Sequence, residues 1–74
     1  MEDIKILQSK LQENPDDLET LENYAIALSD IGENEEALKN FLYLHSKSPD
    51  NPKILYNIGI IFEKLKYIEK AVAA

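Results

Sequence analysis

The chain has 74 residues, 45% of them apolar and 30% charged, with no cysteine and a net charge of −6. A chain of this size holds one domain, and without cysteine it builds neither a disulfide framework nor a thiolate metal site. No uninterrupted apolar run approaches the length of a membrane span, and the charged start MEDIKILQSKLQ is no signal peptide. The absence of cysteine fits an intracellular, cytoplasmic protein.

The charge is split along the chain. Residues 1–36 hold eleven carboxylates against Lys5 and Lys10, a net of −9, whereas residues 37–74 hold three against six lysines, a net of +3. Every basic residue is lysine. An acidic front without arginine argues against nucleic-acid binding, which needs clustered cations to replace phosphate counterions.

Apolar residues then recur at helical spacing, taken here in chain order. Ile4, Leu7 and Leu11 predict a helix over 2–13, which Pro15 cannot extend. Leu18, Leu21, Ala25 and Leu28 predict a second, with Asp16 as its cap and Glu19 at capping-box distance. Gly32 is placed to close that helix in the left-handed conformation, and Asn34 to cap the third, whose stripe is Ala37, Phe41 and Leu44. Pro49 ends it. Asn51 then caps a fourth helix with Pro52 in its first position and Leu55, Ile58, Phe62 and Leu65 as its stripe. A fifth helix is expected to begin near Tyr67 or Ile68. No stretch alternates with period two, so the class is all-α, with short connections and antiparallel neighbours.

The sequence also repeats. Shifted by 34, residues 14–40 match 48–74 at seven of 27 positions, among them Pro15/Pro49, Leu21/Leu55, Asn23/Asn57, Ile26/Ile60 and Ala37/Ala71. Other pairs keep their physical type, such as Ala25/Gly59 and Leu28/Phe62. Residues 2–13 fall into the same register, with Ile4 over Leu38 and Leu7 over Phe41.

A period of 34 with two helices per unit resembles the tetratricopeptide repeat family. The residues that carry the resemblance are Leu21, Ala25, Leu28, Ala37, Phe41 and Pro49, then Leu55, Gly59, Phe62 and Ala71, within text such as GENEEALKNF and LYNIG. The sequence departs from the pattern where Leu21 and Leu55 replace a common tryptophan, Tyr24 a leucine, Leu44 an alanine and Lys66 a chain-breaking glycine. The resemblance implies antiparallel hairpins stacked as a short right-handed solenoid in a single domain over 1–74. In it, 2–13 acts as the second helix of a preceding unit, 18–51 as a full repeat and 52–74 as a truncated one. Such a hairpin leaves an apolar face that only a stacked neighbour covers. The residues 67–74, YIEKAVAA, are therefore expected to begin a helix whose continuation, in a longer array or from another copy, covers the fourth stripe.

Function follows the same resemblance. The first helices of such repeats line a concave groove for an extended peptide or partner helix. The matching positions are Glu19, Glu22, Asn23, Ile26, Ser29 and Asp30, then Lys53, Tyr56, Asn57, Ile60, Glu63 and Lys64. The groove is acidic on one wall with an apolar floor, so the expected partner is a protein or peptide of basic or apolar–basic character. Glu22 and Ile26 stand where family members that clamp a C-terminal carboxylate carry lysine and asparagine, which argues against that ligand. Self-association into a homodimer through the open C-terminal apolar face is the second reading. A catalytic site, a metal site or a cofactor is not expected. His45 is the one histidine, on the third stripe at no metal-ligand spacing, and two glycines are too few for a phosphate loop.

Overall fold

The computed structural model describes residues 3–73, so Glu2, expected in the first helix, and Met1 and Ala74, expected at the two ends of the domain, lie outside the described residues. Four α-helices follow one another: α1 (Ile4–Glu13), α2 (Leu18–Asp30), α3 (Asn34–Lys47) and α4 (Pro52–Ala73). Each packs on the next, α1 on α2, α2 on α3 and α3 on α4, as short turns between antiparallel helices require. The described residues contain no strand. The body is a slab, 43 by 28 by 17 Å.

Local chemistry sets the helix ends. Asp3 accepts from the Lys5 backbone N–H at 3.0 Å and opens α1. The cap of α2 is Asp17, one residue later than expected. One of its carboxylate oxygens accepts from the Thr20 backbone N–H at 3.2 Å and the other from the Thr20 hydroxyl at 2.7 Å. The residue three positions after the cap is therefore Thr20 and not Glu19, and the Asp17 N–H donates to the Asn14 carbonyl. The two Thr20 donors, the hydroxyl first, hold the Asp17 carboxyl below its ordinary pKa.

The end of α2 matches its sequence signal in detail. Gly32 adopts φ +87°, the Gly32 N–H donates to the Ser29 carbonyl, and the Glu33 N–H donates to the Leu28 carbonyl at 2.9 Å. This paired 5→2 and 6→1 arrangement closes a helix through a left-handed residue. The start of α3 does not match. Glu33, not Asn34, occupies the capping position and makes no side-chain cap bond. Asn34 is already helical and buried, and its side-chain oxygen has no partner. At α4 the expected cap holds, with Asn51 Oδ1 accepting from the Lys53 N–H at 3.0 Å.

The core consists of Leu7 and a cluster of Leu21, Ala25, Leu28, Ala37, Phe41, Leu44, Ile54, Ile58 and Ile61. Ile4 and Leu11 of α1 pack against that cluster from one end. Fully buried Ala25 and Ala37 leave α2 and α3 room to approach, and Phe41, 1% exposed, fills the centre.

The expected fifth helix is absent as a separate element, because α4 runs unbroken for 22 residues through Tyr67 and Ile68. Lys66 stands where a glycine would permit a turn, and 60–73 contain neither glycine nor proline. Lys, Glu and Ala in that stretch favour continuation.

Candidate groove between the second and fourth helices

The twelve groove positions all lie on α2 and α4. These two helices run parallel, since each is antiparallel to α3 between them. Lys64 Nζ donates to Ser29 Oγ at 3.0 Å, which ties the two walls together near one end. Ser29 sits 35 residues before Lys64, so this bond joins positions one residue away from the 34-residue register of the sequence.

The α2 wall is acidic. Glu19 and Asp30 are exposed and Glu22 is half-buried, and from residue 11 to residue 38 the chain has nine carboxylates and no lysine. Asn23 is exposed beside them. The α4 wall is mixed: Lys53 and Glu63 are exposed and Lys64 is half-buried. Tyr56 at 61% and Ile60 at 37% exposure give this side an apolar surface. Asn57 Nδ2 donates to the Lys53 carbonyl at 3.0 Å one turn back, which uses one of its two N–H groups and orients the amide. Ile26 is half-buried and packs against the core cluster, so it supports the fold as well as the groove floor.

The residues expected to pack between repeats divide into two groups. Leu21, Ala25, Leu28, Ala37 and Phe41 are buried together. Leu55, Gly59, Phe62 and Ala71, one repeat further on, are exposed. Their exposure has a simple cause. Among the described residues no helix lies on that side of α4, whereas α3 covers the equivalent side of α2.

What α4 buries instead is the neighbouring stripe, Ile54, Ile58 and Ile61, with Leu65 half-buried. Their spacing of four, three and four residues follows a seam packed against α3. Ile54 and Ile61 were legible from that spacing but were overshadowed by the repeat alignment with Leu21 and Leu28. His45 is half-buried on α3, and its Nδ1 is enclosed without a hydrogen-bond partner. The described residues contain no group of three His, Cys, Asp or Glu side chains placed to hold a metal ion, and no helix long and apolar enough to cross a membrane.

Stacked antiparallel hairpins with small residues at the crossings and an open face between parallel helices define a helical-repeat interaction module. Residues 1–53 match the family model described as tetratricopeptide repeat, and the chain belongs to that family. It is a non-catalytic protein-interaction scaffold. Among curated proteins it is similar to the photosystem I assembly protein Ycf3 of Synechococcus sp. strain WH7803, with 45% identity over 56 residues. The Ycf3 of Prochlorococcus marinus strain MIT 9211 is 41% identical over the same length. Each match covers 74% of this chain and 32% of the relative, so the chain spans about a third of the curated relatives it matches. No solved structure matches it.

Proposed function

We propose that the groove between α2 and α4 receives an apolar–basic helix or extended segment of a protein partner. On this reading the module serves the assembly of a larger complex in the cytoplasm, assembly being what the name of its relatives says of them. The observation that supports the reading is the pairing of Glu19, Glu22 and Asp30 on α2 with exposed Tyr56 and Ile60 on α4, the two helices being joined by Lys64 and Ser29. The carboxylates steer encounter and select sign, while the exposed apolar side chains supply contact area.

Ile60 is the position to test, since Ile26 is shared with the core. A fluorescently labelled helical peptide with leucines at three- and four-residue spacing and flanking lysines serves as the probe. Ile60→Lys is expected to weaken its binding about tenfold, which corresponds to about 1.4 kcal/mol, without altering the circular-dichroism spectrum. Binding of an isomeric peptide with glutamates in place of lysines is expected to be weaker still. Equal binding of both peptides, or no effect of Ile60→Lys, would show that the groove is not the site.

A second reading rests on a different observation. Leu55 and Phe62 are 49% and 53% exposed on the outer side of α4, flanking Gly59, in the register that α3 covers on α2. That stripe suits another helix, from a neighbouring repeat or from a second copy, which would make the chain a self-associating structural module.

A further inference from the structure

From the surroundings of Gly59 we infer that this residue is the point of closest approach between the α4 helices of two copies, paired antiparallel about a two-fold axis. This rests on the second reading above, self-association through the outer stripe of α4, and names its occupant and register. It is independent of the groove reading.

Nothing inside the chain calls for a glycine at this position. Gly59 lies within the 22-residue α4 without a positive φ, and a Cβ added there meets nothing within 4 Å. Glycine is the poorest helix former after proline, so its place in a helix interior costs stability that no turn or neighbouring side chain requires. Its counterpart Ala25 is buried together with Ala37 of α3. The 34-residue counterpart of Ala37 is Ala71, which lies on the same unbroken helix as Gly59, about 18 Å away at about 1.5 Å per residue. Only a helix from elsewhere can use the space at Gly59, and exposed Leu55, Tyr56 and Phe62 surround it with apolar surface.

A second copy supplies that helix. At about 100° per residue, Ile54, Ile58, Ile61 and Lys64, which tie α4 to α3 and α2, centre on the side of α4 roughly opposite Gly59, so the two bodies stand clear of each other. The two-fold axis is perpendicular to the plane of the antiparallel helices and passes between their glycines. A residue before Gly59 therefore meets one about as many places after it, and the same flank of each helix meets itself. Leu55 and Phe62, seven residues apart, share one flank, where Leu55 of each copy lies beside Phe62 of the other. Tyr56 and Glu63 share the second flank and pair likewise. Asp50, nine places before Gly59, falls at the level between Lys66 and Lys70 of the other copy, seven and eleven places after it. All three are exposed, so opposite charges close both ends of the contact. Backbones approach closely where both helices carry a small residue, and the axis provides this by setting glycine on glycine.

One helix crossing buries less than the about 1,200 Å² typical of stable interfaces, so the dimer is weak. In sedimentation equilibrium at about 20 mM salt, the mass is expected to rise from one chain toward two as concentration increases to about 1 mM. Substitutions at Gly59 separate a close crossing from general stickiness. In dilute solution Gly59→Ala is expected to raise the melting temperature by about 4–8 °C, because its Cβ meets open space on a helix, and Gly59→Leu to raise it too. In concentrated solution Gly59→Leu is expected to weaken the dimer at least tenfold by forcing the helices apart, although it adds apolar surface. Asp50→Lys is expected to weaken it about tenfold, and adding Lys66→Glu and Lys70→Glu to restore it, with melting curves recording any loss of fold. Association strengthened by Gly59→Leu, or broken by Phe62→Asp but indifferent to the charge exchange, would overturn this pairing and leave the outer-stripe reading standing. A monomer under all conditions would overturn both.

Discussion

At the level of single residues, the caps show how a one-position change in a side chain's partner alters its chemistry. Asp16 and Asp17 are adjacent carboxylates on the same turn, but only Asp17 collects two bonds from Thr20. Both bonds are stronger to the ionised form, and the Asp17 carboxyl is held below its ordinary pKa of 3.8. A depressed native pKa means that the contribution to stability is present above the unfolded-state value and is lost as pH falls through the native value. Thr20→Val keeps the shape of this buried side chain and removes the hydroxyl donor. Its Asp17 pKa, followed by carboxyl-carbon NMR, is expected to move up toward the ordinary value. The gap in melting temperature between the two proteins is expected at neutral pH and to narrow below about pH 4 as the carboxylate is protonated. Sequence pattern alone does not separate the two aspartates, because Asp16–Glu19 and Asp17–Thr20 both satisfy the three-residue spacing. The choice depends on where the chain leaves Pro15, and a spacing rule does not contain that.

At the level of elements, α2 and α4 are a natural experiment in context. Their sequences align, but Leu21 is 9% exposed and Leu55 49%, and Leu28 is 6% exposed and Phe62 53%. Nothing local separates the members of each pair. What differs is a helix laid on one of them, so tertiary cover decides which of two adjacent apolar stripes on α4 becomes core. The four helices, their order and the α2–α3 core were legible because amphipathic period, proline, glycine and cap all agreed there. The burial of Ile54, Ile58 and Ile61 was less so, since α4 is apolar on more than one side and the 34-residue alignment pointed at the stripe without a partner. The continuation of α4 past Lys66 was also obscured, because family pattern predicted a turn that local propensity does not make. A pair of truncations measures the difference. Ile61→Ala, at a site 1% exposed, is expected to cost about 2–5 kcal/mol in urea unfolding, enough to abolish a cooperative transition in so small a domain. Phe62→Ala, its neighbour, is expected to cost less than about 1 kcal/mol. Equal costs would mean that the outer stripe of α4 is covered in solution.

For the whole molecule, the uneven charge has two consequences of opposite sign, and salt separates them. Nine carboxylates without a lysine between residues 11 and 38 repel one another inside a single copy, and that repulsion opposes the compact state. On the groove reading proposed above, the same carboxylates attract a basic partner. Screening at 0.15 M salt acts over about 8 Å, shorter than the 28 Å width of the slab, so it weakens both effects between exposed groups. A dilute solution contains only the first effect. There the melting temperature is expected to rise between about 10 and 200 mM sodium chloride, as the Debye length shrinks from about 30 Å to below 8 Å. A lysine-flanked peptide added at low salt supplies the second effect, so the melting temperature with peptide is expected to start above the value without it, and the gap to close as salt is added. Convergence of the two curves at high salt, rather than a constant offset, ties the acidic residues both to repulsion within the chain and to attraction of a basic partner.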